Sequence, residues 1–125
     1  MKGIDPALLD LIEDETKAYA FLGTTMHDGS PQVTPVWFNS DGENILINSA
    51  KGRVKDQNMR ARPAVAMTII DMKNPNRYLQ VRGKVVEITE EGAVEHINML
   101  SLKYSGVPFS VPEGQTRVIY KIRPE

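Results

Sequence analysis

The chain has 125 residues, 41% hydrophobic and 25% charged, which suits one globular domain spanning 1–125 with a single core. The absence of cysteine excludes a disulfide framework, a thiolate metal site and a cysteine nucleophile. A net charge of −1 and an aromatic content of 6% argue against a nucleic-acid-binding barrel. The start, Met1-Lys2-Gly3-Ile4-Asp5-Pro6, has no apolar leader, and no run reaches membrane-spanning length. The expected location is therefore cytoplasmic.

An opening helix is expected over about Pro6 to Asp14. Tyr19 to His27 reads as a strand, Asp28-Gly29-Ser30 as a hairpin turn and Pro31 to Asn39 as the returning strand. In that return Gln32, Thr34 and Val36 share one face, and Val33, Pro35 and Trp37 the other. Pro35 cannot donate to a ladder, so the strand is expected at an edge or to carry a bulge, leaving main-chain groups free to meet a ligand. Asp41-Gly42 turns the chain again into a strand from Asn44 to Ala50.

The next stretch, Lys51-Gly52-Arg53-Val54-Lys55-Asp56-Gln57-Asn58, places three cations around a glycine where a short helix should begin. Helix starts leave N–H groups unpaired and carry partial positive charge, so they attract anions. Between Lys51 and Arg62 five cations meet one acid, Asp56; this local +4 leaves −5 for the rest of the chain. A solvated helix face is the bland explanation of such a run. A phosphate is the natural guest if it is a site.

Pro63 closes the helix. Ala64 to Asp71 is so apolar that burial on both faces is expected, and Met72 to Asn76 is a loop. Arg77 to Thr89 is a long strand, with Gly83 marking a bend of the kind that closes a barrel. Thr89 is expected to cap a second helix with Glu90 and Glu91 in its first turn. Its apolar stripe is Ala93, Ile97, Leu100 and Tyr104. After a loop from Ser105 to Gln115, Arg117 to Ile122 forms the last strand. Six mainly antiparallel strands with peripheral helices imply a small β-barrel. His27 and His96 lie far apart without clustered acids, so no metal site is expected. No catalytic side-chain set can be assigned.

Four stretches carry a family resemblance: "DGSPQVTPVWF" from Asp28, "NSAKGRVKDQN" from Asn48, "ARPAVAMTIID" from Ala61 and "NPNRYLQVRGKV" from Asn74. In this order and spacing the chain resembles the pyridoxamine 5′-phosphate oxidase-like split β-barrel superfamily, and within it the flavin- or deazaflavin-dependent oxidoreductases. The resemblance covers nearly the whole chain. It implies a six-stranded antiparallel split barrel that forms a homodimer, with F420 or FMN in the groove between subunits. The run from Lys51 and the Asn74 to Tyr78 segment are most similar to F420-dependent members.

By the same resemblance, the cofactor phosphate would meet Arg53 and Lys55, helped by Ser49 and Lys51. The ring would lie along Gln32 to Val36, touching main chain near Thr34, Pro35 and Val36 and the edge formed by Asn48, Ser49 and Ala50. Tyr78 and Gln80 of a second subunit would close the pocket. Arg60, Arg62, Arg77 and Arg82 are candidates to meet an anionic cofactor tail. Pyridoxamine phosphate oxidases proper continue beyond the position of Glu125 into substrate-binding residues, so oxidation of pyridoxamine phosphate is not expected. The implied activity is hydride transfer between the cofactor and a small conjugated substrate, with no nucleic-acid or membrane partner. The alternative is a non-catalytic carrier of flavin, F420 or haem.

Overall fold

Asp28 and Asp41 each close a turn by accepting hydrogen bonds from residues just ahead. Asp28 Oδ1 takes the Ser30 amide (3.0 Å), and Asp41 Oδ1 takes the amides of Glu43 (2.9 Å) and Asn44 (2.7 Å). The first turn joins β1 (Tyr19–Thr25) to β2 (Pro31–Val36), and the second joins β3 (Phe38–Ser40) to β4 (Ile45–Ala50), both antiparallel. The computed structural model describes residues 3–13 and 17–125. After β4 come α1 (Val54–Ala61), β5 (Ala64–Ile70), β6 (Tyr78–Thr89), α2 (Ala93–Ser105) and β7 (Arg117–Pro124). The opening helix is a 3-10 turn over Pro6–Leu11, begun by Asp5, whose Oδ1 accepts the Ala7 amide at 2.9 Å. Asp14, its expected end, lies outside the described residues.

All neighbours in the seven-stranded sheet are antiparallel, in the order β2-β1-β5-β6-β7-β4-β3. The two edge strands, β2 and β3, are consecutive in the chain and separated only by Trp37. Neighbouring Cα atoms are about 3.8 Å apart, so the first and last strands must nearly meet and the sheet must curl. Among the described residues no ladder joins them, and the barrel stays split along this seam.

Long β6 makes the curl possible by pairing with β5 through its first half and with β7 through its second. Gly83 sits at the crossover, opposite both Val65 and Pro124. A Cβ there would come within 2.5 Å of the Arg123 carbonyl oxygen, so the close approach requires glycine. A bulge between Val85 and Glu87 adds to the bend.

The barrel interior holds Leu22, Phe38, Ile47, Met59, Ile69 and Tyr120, each at most 1% exposed. Burying such side chains contributes about 1.5–3 kcal/mol apiece. Helix α2 packs on β7 and β4 and buries Ala93, Ile97, Leu100 and Tyr104, the stripe expected from its spacing.

Four details correct the sequence reading. The expected strand from Pro31 to Asn39 is two strands, because Trp37 leaves the β1 ladder and turns the chain toward β4; the sheet therefore has seven strands rather than six. Pro35 does lie in an edge strand. Strand β5 is not buried on both faces. Val65, Met67 and Ile69 are buried, whereas Ala64 and Ala66 are exposed, because no described residue covers the outer face there. Thr89 stays paired with Ile119 in β6, so α2 starts only at Ala93, after Gly92 makes the turn. Glu90 and Glu91 precede the helix, and Thr89 Oγ1 accepts the Glu91 amide at 3.1 Å.

Candidate functional site

Between Ala50 and Val54 the chain reverses from strand to helix. Gly52 takes a φ of 94°, which only glycine adopts readily. The turn is pinned by the Lys51 amide donating to the Thr116 carbonyl (2.8 Å) and by the Gln57 Nε2 donating to the Gly52 carbonyl (2.8 Å). Asp56, in the first turn of α1 and 2% exposed, bends back to accept the Gly52 amide at 2.8 Å. Its other oxygen accepts from Tyr120 and from Arg60 Nε. The N-cap, Arg53, makes no capping hydrogen bond with its side chain, and the acceptor built into this helix start is the buried Asp56 carboxylate.

Arg53 and Lys55 project from this helix start into a cleft of about 370 Å³. Arg117, from the start of β7, forms a third cationic wall, and Asn48 of β4 lies beside it. The opposite side is apolar: Pro35, Val36 and Trp37 at the junction of β2 and β3, with Tyr19, Ile97 and Phe109 around them. Trp37 is stacked on Tyr104, centroids 5.5 Å apart and planes 1° from parallel, so this wall is held flat. The cleft thus opens at the seam where the sheet fails to close.

The ion pairs found among the described residues use Lys51, Arg60, Arg77 and Lys121, and none uses Arg53, Lys55 or Arg117. Burial, with the charges of Arg53 and Arg117 added, pulls the Lys55 amine below its usual value. Burial and Arg53 act in the same direction on Arg117. Three cations therefore share a cleft without a counter-charge, and that favours an anionic guest.

A neutral hydrogen-bonded chain holds Arg117. Its Nε donates to Asn48 Oδ1 (2.9 Å), its Nη1 donates to Gln115 Oε1 (2.9 Å), and Phe109 lies 5.0 Å from the guanidinium carbon. Asn48 Nδ2 donates to the Ala93 carbonyl (2.8 Å) and meets His96 Nδ1 at 3.1 Å. His96 Nε2 lies 2.7 Å from Asn39 Oδ1. With Asn48 donating to Nδ1, the imidazole carries its proton on Nε2. Burial pushes its pKa down to about 4, so it is neutral at physiological pH.

Of the residues named from the sequence, the fold brings Pro35, Val36, Asn48, Arg53 and Lys55 together in the cleft. Ala50 borders it, opposite Arg117 in the β4–β7 ladder. Lys51 reaches away to Glu90 at 3.2 Å. Ser49 lies on the other face of β4 from Asn48, in register with Val118, with its hydroxyl buried and unpartnered. Gln32 meets Thr24 Oγ1 at 3.4 Å, and the Thr34 hydroxyl is buried without a partner. Tyr78 and Gln80 are exposed on the outer face of β6.

Gln80 and Arg82 line a second cleft of about 420 Å³ with Phe21, Val33 and Met67. Of the arginines considered for an anionic tail, Arg60 is bound to Asp56, Arg62 to the Thr25 carbonyl and Asn58, and Arg77 to Asp10 and Asp71. The sequence reading missed Arg117, Phe109, Ile97, Trp37 and Tyr19 as cleft residues. The one signal for Arg117 was a cation opening the last strand ahead of the apolar Val118-Ile119-Tyr120.

Three cations without a carboxylate, beside a flat apolar wall, fit a planar ring that carries a phosphate. The family model described as pyridoxamine 5′-phosphate oxidase matches residues 4–125. No curated protein matches the chain. Among solved structures, one named F420 Reductase is 36% identical, with 98% of this chain and 96% of that chain covered and a TM-score of 0.86. The conserved hypothetical protein Rv2991 of Mycobacterium tuberculosis is 22% identical, with 98% and 81% covered and a TM-score of 0.74. HupZ of Group A Streptococcus is 20% identical, with 96% and 90% covered and a TM-score of 0.64. The last two show a shared fold.

Proposed function

This chain belongs to the pyridoxamine 5′-phosphate oxidase family, with its split-barrel fold, and from that membership we propose an oxidoreductase that uses F420 or FMN to move a hydride to or from a small conjugated organic substrate. The observation that carries the reading is the set of Arg53, Lys55 and Arg117, unpaired with any carboxylate among the described residues and facing the flat wall at Pro35, Val36 and Trp37. Arg53 and Lys55 would hold the phosphate, and the wall would hold one face of the ring. Bound there, F420 or FMN supplies the hydride chemistry itself. The protein's part is to fix the tail, orient the ring and exclude water from the apolar side.

Lys121 and Tyr78, two side chains able to give up a proton, lie elsewhere in this chain. Lys121 pairs with Glu87 at 3.3 Å, and Tyr78 is on the outer face of β6. Neither lines the cleft of its own chain, so water or the partner's Tyr78 is the proton source in this reading. The 36% identity to a protein named F420 Reductase supports F420 over FMN. Among the described residues no helix is long and apolar enough to cross a membrane. A cytoplasmic location completes the proposal.

The test is direct. The absorption spectrum and mass of any copurifying cofactor are measured first, followed by titration with F420 and with FMN. Binding of one of them at micromolar concentration is expected, and turnover of the reduced cofactor with a panel of enones and quinones should follow. Failure of both to bind would sink the reading. Binding without turnover would favour the second reading, a cofactor carrier, which the absence of an acid–base set in the cleft supports. A haem version is disfavoured, since no histidine lines the cleft and both His96 nitrogens are engaged.

The proposal includes a homodimer through the outer face of β2, β1, β5 and β6. Support comes from Val33 (64% exposed), Tyr78 (48%) and Val86 (45%), apolar or aromatic side chains left in water by a single chain. It would also give Tyr78 and Gln80 a role at the partner's cleft. Val33→Glu, which touches nothing in the core, is expected to shift the protein from dimer to monomer in light scattering. A wild-type monomer at micromolar concentration would overturn the dimer.

A further inference from the structure

We propose that Arg117 is a third ligand of the bound phosphate, held in place by Asn48 and Phe109, and that it makes the cleft select a phosphorylated ring over the same ring without phosphate. This rests on the cofactor reading above and adds a residue that neither the charge run nor the helix start contains.

Arg117 is only 5% exposed, yet the groups that hold it are neutral: the amide oxygens of Asn48 and Gln115 and the face of Phe109. Neutral acceptors orient a guanidinium without cancelling its charge. A buried cation with no counter-ion among the described residues is destabilising, and Arg53 nearby adds repulsion. A guanidinium has five N–H donors, and Asn48 and Gln115 take one each. Those that remain form a planar fork that matches two oxygens of one phosphate, and the residue lines the cleft between Asn48 and Phe109.

The rest of the chain explains why the fork stays aimed. Asn48 cannot turn its amide without losing the Ala93 carbonyl and His96, and His96 is fixed in turn by Asn39. The linkage runs through β3, α2, β4 and β7 and contains no carboxylate. An aspartate at position 48 would have neutralised Arg117 internally and left it nothing to offer a ligand. Asn48 and His96 are therefore positioning residues, and Arg117 is the one that touches the phosphate.

Trp37 is the only tryptophan and forms part of the cleft wall, so its fluorescence reports binding. Wild type, Arg117→Gln and Arg117→Lys are titrated with FMN and riboflavin, which share a ring and differ by the phosphate. The same is done with F420 and its phosphate-free deazaflavin ring. Circular dichroism and melting curves establish that each variant is folded. Wild type should prefer the phosphorylated member of a pair. Arg117→Gln should lose about 10- to 100-fold of affinity for that member while its affinity for the bare ring moves less than about threefold.

Arg117→Lys, which keeps charge without the fork, should fall between; it carries the test if Arg117→Gln does not fold. Equal losses for both members would make Arg117 a structural wall and overturn the proposal. So would full retention of phosphate preference in Arg117→Gln. If wild type binds neither phosphorylated ring, the cofactor reading itself has failed. If wild type discriminates and the variants discriminate equally well, only the present inference has.

Discussion

Replacing Arg53 and Lys55 together by alanine is expected to weaken binding of the phosphorylated cofactor by about a hundredfold or more, with little change in thermal stability. A hydrogen bond to a charged group contributes about 1.5–3 kcal/mol, and two such contacts disappear. Stability should hold because neither side chain has an ion pair among the described residues, and each lies close to other cations. Removing like charges relieves repulsion, which offsets the packing lost with the Lys55 stem. Isothermal titration and a melting curve measure the two effects separately. A folded double variant that binds the cofactor as wild type does would remove the phosphate clamp from the mechanism. Loss of folding would make the pair structural.

Asp56→Ala should produce the largest loss of stability, about 3–5 kcal/mol in a denaturant titration. The carboxylate is 2% exposed and accepts from the Gly52 amide, the Tyr120 hydroxyl and Arg60 Nε. Without it the turn into α1 loses its pin, and a fully buried tyrosine hydroxyl loses its acceptor. Cofactor affinity should fall as well, because the same turn aims Arg53 and Lys55. A loss below about 1 kcal/mol would mean that water or Arg60 rearranges to replace the carboxylate.

The pH dependence separates Asp56 from His96. Burial pushes the Asp56 carboxyl up, but the bonds from Tyr120, Gly52 and Arg60 together outweigh it and hold the pKa below the usual 3.8. Its contribution is therefore fully present above that value and is lost as pH falls through the lower, folded value. His96 acts in a higher window. Its folded pKa of about 4 lies below the ordinary 6.5, so the unfolded chain takes up a proton first. Stability from neutral His96 falls as pH drops from about 6.5 toward 4. In Asp56→Asn the loss of stability below pH 4 should shrink, while the decline between 6.5 and 4 should remain.

How far the site was legible differed by residue. Arg53 and Lys55 could be read because their chemistry is local: cations, a glycine and a helix start lie within a few positions of each other. Pro35 was legible as an edge residue because its ring cannot serve a ladder on both sides. Arg117 was not, since it joins the cleft only through the ladder that sets it opposite Ala50, 67 positions away. Ser49 shows the converse. It stands next to Asn48 in the chain, yet strand alternation sends it to the other face.

Local chemistry also accounts for the elements themselves. Turn residues at Asp28 and Asp41, the apolar stripe of α2 and the glycine at position 83 each act on the backbone where they stand, so strands, helices and the bend could be read before any contact was known. The division of Pro31 to Asn39 at Trp37 and the bare outer face of β5 depended on which strands became neighbours. So did the convergence of Arg53, Lys55 and Arg117 at the open seam of the barrel. The sequence by itself determined most of the secondary structure, the family and two of the three cations, because those follow from short-range backbone and charge patterns. Only the tertiary structure decided that the third cation is buried beside them without a counter-charge among the described residues, because long-range strand pairing sets which side chains meet.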